Sequence, residues 1–111
     1  MSDEINSRVQ AQEDRRRFDR ARLIIDLFVD GKDITGVANT KDIGGGGLYM
    51  NTQTELPEGS VLLVRIPFGE DRQVVTNAEV VYCNPGIGVG LRFHGLSEED
   101  RGLIEREVAK I

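Results

Sequence analysis

A six-stranded antiparallel β-barrel followed by one C-terminal helix is the fold predicted for this chain of 111 residues. Three observations predict this all-β class with a terminal helix. Six short apolar or alternating runs lie between residues 23 and 93, turn signals separate them, and the apolar period lengthens to that of a helix after Ser97.

Residues 23–29 (LIIDLFV) are apolar at nearly every position, the pattern of a strand covered on both sides or paired early. Asp30-Gly31-Lys32-Asp33 makes a turn into a second strand over 34–38. Residues 47–50 provide a short third strand. Pro57-Glu58-Gly59 turns the chain again, and 61–66 places Leu62, Val64 and Ile66 on one face. Over 73–82, Val74, Thr76, Ala78, Val80 and Tyr82 alternate with Val75, Asn77, Glu79 and Val81. Asn84-Pro85-Gly86 breaks that run. In 87–93, Ile87, Val89, Leu91 and Phe93 point inward against Gly88, Gly90 and Arg92. Ser97 then caps a helix whose first turn holds Glu98, Glu99 and Asp100, where the helix dipole favours negative charge. Leu103, Ile104, Val108 and Ile111 form its apolar stripe, predicted to pack across one open end of the barrel.

The length suits one domain, divided here into a flexible charged arm at 1–14 and a barrel domain at 15–111. No apolar run approaches the ~20 residues of a membrane helix, and no signal peptide is apparent, so a cytoplasmic protein without membrane insertion is expected. The net charge of −5 argues against a nucleic-acid polymer as partner. That average conceals an asymmetry: six of the eleven arginines fall between Arg8 and Arg22. A local cationic patch on an acidic protein suits a small anionic ligand or an acidic protein partner.

Catalysis finds little support. His94, the single histidine, ends a strand with no serine or cysteine tied to it by spacing, and Cys83 has no CxxC partner for a metal. Gly86, Gly88 and Gly90 lie within an alternating strand with no helix following, which excludes a dinucleotide-binding turn. No enzyme, cofactor or metal is expected.

Two features remain, the arginine run and the stretch TKDIGGGGLYM at 40–50. Arg16 and Arg20 stand as RxxxR just before the first strand, and about twenty residues later comes Asp42-Ile43-Gly44-Gly45-Gly46-Gly47. This layout resembles the PilZ family, with RxxxR ahead of the first barrel strand and (D/N)xSxxG on a following strand and turn. Asp42 takes the D/N position and Gly47 the final glycine. The strand GIGVGLRF is similar to the family's glycine-rich last barrel strand. The resemblance extends over about residues 13–111 and agrees with a PilZ-type barrel and helix.

The resemblance implies a receptor for the bacterial second messenger cyclic di-GMP. Arg16 and Arg20 are then assigned to guanine edge and phosphate, because the guanidinium fork donates two parallel hydrogen bonds to guanine O6 and N7. Arg15 and Arg17 assist. Asp42 accepts from guanine N1–H and the exocyclic amine, and Gly47 lets the backbone turn beneath the ligand with positive φ available. Gly44 departs from the pattern, since the family's serine is missing there, and it joins the site as the position that sets affinity. The expected mechanism is ordering of the Arg-rich segment on ligand binding, creating a surface for a downstream protein partner. The expected protomer state is monomer or weak dimer. The alternatives are a PilZ-like protein-interaction module whose nucleotide binding is weakened or lost at Gly44, and a small barrel that binds single-stranded nucleic acid. The latter needs exposed aromatics for base stacking, and the chain has only four Phe and two Tyr.

Overall fold

The computed structural model describes residues 22–110. The arm at 1–14, Arg15, Arg16, Arg17, Arg20 and Ile111 therefore lie outside the described residues.

The strands are β1 (Arg22–Val29), β2 (Lys32–Asn39), β3 (Gly47–Asn51), β4 (Val61–Pro67), β5 (Gln73–Asn84) and β6 (Gly88–His94), followed by helix α1 (Glu98–Ala109). All neighbouring strands pair antiparallel, and they close into a barrel in the order β1-β2-β3-β6-β5-β4. Closure pairs each strand on both sides among the described residues, the β2–β3 seam being joined at Val37 opposite Asn51. Alternation fills the interior: Ile25, Leu27, Met50, Val64, Ile66, Val74, Val80 and Val89 are all essentially inaccessible to solvent.

Two expectations about orientation are corrected. Of the two readings of β1, early pairing holds, since it forms a hairpin with β2 along its whole length; the other, coverage on both sides, is corrected, because among the described residues it is covered on one side only. Ile25 and Leu27 are buried, while Ile24 and Phe28 are 61% and 49% exposed on the outside. A small barrel has one interior, and the outward half of even an apolar strand meets solvent. The second correction concerns Tyr82, placed inward by alternation. A bulge between Val80 and Tyr82 inserts Val81 as an extra residue. Beyond it the faces exchange, so Tyr82 pairs with Gly90 on the outside and Cys83 with Val89. Ile87 also differs from expectation: it lies in the turn before β6 and is 60% exposed.

Helix α1 starts as predicted. Ser97 Oγ accepts from the Asp100 backbone N–H at 3.0 Å, with the three acidic residues in the first turn. Ile104 is fully buried in the barrel core, and Leu103 and Val108 pack against it. Arg72 in the β4–β5 loop donates to Glu107 at 2.6 Å. Hydrogen bonding from Lys110, assisted by Arg72, holds the Glu107 carboxyl below its ordinary value against the opposing effect of desolvation. The register places the start of β1, the end of β2, the start of β3 and the end of β6 at one end of the barrel, and α1 lies across that end.

Candidate ligand-binding loop

The chain leaves β2 at Asn39 and re-enters the sheet at Gly47, and each intervening residue has a distinct structural reason. Asn39 caps a single 3₁₀ turn over Thr40–Asp42, its side chain accepting from Lys41 N at 2.9 Å. Thr40 is buried, whereas Asp42 is exposed and takes no hydrogen bond from the described residues. Ile43 turns inward, is 6% exposed, and bridges to Leu48 across the loop. The glycines form the tip between them, with Gly44 N–H donating to the Gly47 carbonyl at 3.0 Å.

This tip is held, not slack. Phe93 N–H of β6 donates to the Gly46 carbonyl at 2.9 Å. Arg101 of α1 donates to the Gly45 carbonyl at 2.5 Å. A Cβ on Gly45 would lie 2.7 Å from the Glu105 carboxylate and 2.9 Å from Arg101 Cγ, so the absence of a side chain lets the loop lie flush on the helix. The sequence assigned no role to Arg101. The only signal available was a basic residue in an otherwise acidic first helical turn, and that does not name its partner.

Gly47 is needed for a different reason from the one expected. It is absent from the positive-φ residues. Instead it sits opposite Arg92 in the β3–β6 ladder, where a Cβ would collide with the Leu91 carbonyl oxygen and lie 3.1 Å from Arg92 Cα. Backbone cannot swing aside as a side chain can. Gly47→Ala is accordingly expected to cost about 1–3 kcal/mol. Each kcal/mol lowers the melting temperature of a domain this size by about 4–8 °C. Gly44 provides the contrast: a Cβ there meets nothing within 4 Å, and its φ is not left-handed. Gly44→Ala should leave the melting temperature unchanged or raise it slightly. Thermal unfolding of the two variants checks both, and equal losses would refute this division of roles.

The outer face beside the loop is polar and aromatic. Glu79 accepts from Arg92 at 3.2 Å and lies 3.0 Å from His94 Nε2. The Arg92 hydrogen bond is the main reason that the Glu79 carboxyl titrates below its ordinary value. Partial desolvation opposes this, and the Arg92 charge and His94 add to it. His94 is thus a strand-end residue, as expected, but one engaged with Glu79. Next to this group Tyr49 and Tyr82 stack with ring centroids 5.9 Å apart. Gly88 and Gly90 make room for these rings, since a Cβ on either would collide with one of them.

A six-stranded barrel, a terminal helix across one end and, at that end, a loop with Asp42 and Gly47 at the motif's two ends are the features the motif reading called for, with Gly44 in place of its serine. The PilZ domain family model matches residues 14–110. The chain belongs to the PilZ domain family. PilZ domains are binding and adaptor modules, in general receptors for cyclic di-GMP. Among solved structures, the PilZ domain of CeSA from a cellulose synthesizing bacterium is similar in fold. It superposes with a TM-score of 0.60 at 15% identity, covering 82% of this chain and 93% of that one. Comparison with curated proteins gives no match. Of the site residues assigned to this PilZ chain, Asp42, Gly44 and Gly47 are brought together in one loop. Arg15, Arg16, Arg17 and Arg20 lie outside the described residues.

Proposed function

We propose that this PilZ domain is a cytoplasmic cyclic di-GMP receptor that takes its ligand between the Arg-rich segment and the 42–47 loop and then signals to a protein partner. The observation that carries this reading is the pairing of Arg22 with Asn39. Strand β1 begins beside the residue that opens the loop, so covalent connectivity delivers the preceding chain to the loop's end of the barrel. Arg20 is two residues from Arg22, and two residues span at most about 7 Å. Arg16 and Arg20 would then engage guanine and phosphate, with Arg15 and Arg17 assisting, while Asp42 reads the guanine donors from its exposed position. Residues 15–111 act as the domain and 1–14 as an arm.

Gly44 sets the strength of binding. The missing serine hydroxyl corresponds to about 0.5–1.5 kcal/mol, or near tenfold in affinity. The site is open for its return. Gly44→Ser should therefore tighten binding about tenfold, as measured by isothermal titration with cyclic di-GMP. Equal affinity in both proteins would remove Gly44 from the site. No heat from the natural protein at roughly tens of micromolar, with heat restored in Gly44→Ser, would instead favour the interaction-module reading.

Ligand binding is expected to order the segment that carries the arginines. That segment has few apolar residues and many like charges. Amide exchange over residues 8–22 should slow in the presence of cyclic di-GMP, and unchanged protection would exclude the ordering step.

A further inference from the structure

The outer face of β3, β6 and β5 continues from the 42–47 loop, and the register lays it out in rows. Gly47 stands opposite Arg92, and Arg92 opposite Glu79. One step further along the strands, Tyr49 stands opposite Gly90, and Gly90 opposite Tyr82. Gly47 and Tyr49 share the outer face, because Leu48 between them is buried. Two residues of strand set them about 7 Å apart. Gly47 carries no side chain, so β3 itself raises nothing between the loop and Tyr49.

The tyrosines reach over β6 from its two neighbouring strands. Their rings stack with centroids 5.9 Å apart and planes 21° from parallel. Tyr82 ring atoms lie over Gly90, and the Tyr49 hydroxyl lies over Gly88. Covering the β6 glycines is one role of the pair, but it needs only bulk and it leaves Tyr82 45% exposed. An exposed aromatic face is a surface on which nucleobases stack. A cation stands beside it. Arg92 uses one nitrogen on Glu79 at 3.2 Å, and its side chain is mostly exposed, which leaves donors for an anion. An aromatic face with a guanidinium at its edge, continuous with a candidate nucleotide loop, suits a base joined to a phosphate.

We infer that Tyr82, backed by Tyr49, is a stacking platform for one of the two guanines of cyclic di-GMP. The inference rests on the reading of the 42–47 loop as the nucleotide site. With one guanine held by Asp42 and the arginines, the cyclic backbone carries the second base away from the loop. The outer surface at Gly47 leads towards the tyrosines, and Arg92 lies beside that path. Tyr82 then adds affinity through its ring, while Tyr49 keeps that ring in place over Gly90.

Tyr49 and Tyr82 are the chain's two tyrosines and it has no tryptophan, so their ring proton resonances are readily assigned with Tyr49→Phe and Tyr82→Phe. Adding cyclic di-GMP to the full chain should move the Tyr82 ring protons upfield, the signature of a stacked base, which a ring that only covers Gly90 would not show. In titration calorimetry, Tyr82→Ala should weaken binding about 5-fold to 150-fold. Tyr82→Phe should bind like the natural protein. Tyr82→Leu keeps apolar cover over Gly90 without an aromatic face and should bind as weakly as Tyr82→Ala. Melting temperatures near that of the natural protein verify that each variant is folded. Binding heat with the Tyr82 resonances unmoved, or with Tyr82→Leu equal to the natural protein, overturns the inference and leaves the ligand at the loop alone. No heat from the natural protein overturns the receptor reading, and the platform with it.

Discussion

The double variant Arg16→Ala, Arg20→Ala is expected to lose cyclic di-GMP binding while keeping its fold. A bidentate arginine–guanine contact is worth about 1–3 kcal/mol. Two contacts of this strength together correspond to roughly 30-fold to 20,000-fold in affinity. The buried core of the described residues runs from Ile25 through Phe93 to Ile104, and the melting temperature without ligand is expected to be unchanged. Arg16→Lys and Arg20→Lys separate charge from geometry. Lysine keeps the positive charge but cannot donate in a fork, so most of the loss should persist if base recognition is the role. Full recovery with lysine would reduce the two arginines to non-specific attraction for phosphate. Titration calorimetry, with the melting temperature as control, distinguishes these outcomes.

Ile104→Ala should destabilise the domain by about 2–5 kcal/mol, because it removes a fully buried side chain and leaves a cavity between helix and barrel. In thermal unfolding that is a fall of roughly 10 °C or more. Leu103→Ala, at a partly buried position, should cost clearly less. The consequence for the site is indirect. Helix α1 carries Arg101, whose guanidinium holds the Gly45 carbonyl, and Ile104 holds the helix. A helix docked less firmly leaves the Gly45 carbonyl without its Arg101 donor, although Gly46 keeps its bond from Phe93 N–H of β6, so ligand affinity should fall together with stability. Equal melting temperatures for Ile104→Ala and the natural protein would mean that the helix contributes little to the core.

Both variants act on features that differed in how legible they were. The barrel was readable because its strands are short, punctuated and alternating. Inward residues such as Leu62, Val64 and Ile66 follow from a period of two without knowledge of their partners. Helix α1 was readable because cap, charge bias and apolar stripe agree. Where reading failed, the cause was a local event that shifts phase. The Val81 bulge inverts the orientation of Tyr82, and nothing in VVYCN announces it. Likewise Ile24 and Phe28 satisfy a strand pattern equally well facing in or out, and closure of the barrel decided that they face out.

By itself the sequence determined the fold class, the helix start at Ser97, and the identity of the loop residues Asp42, Gly44 and Gly47. These depend on periodicity, capping and motif spacing, which are properties of neighbours along the chain. Only the tertiary structure decided why the glycines are there. Gly47 is demanded by the Leu91 carbonyl from a strand over forty residues away, Gly45 by the flank of α1, and Gly44 by no contact at all. Close approach between distant segments is what a linear pattern cannot encode, and it separates a glycine that the barrel requires from one that leaves room for a side chain.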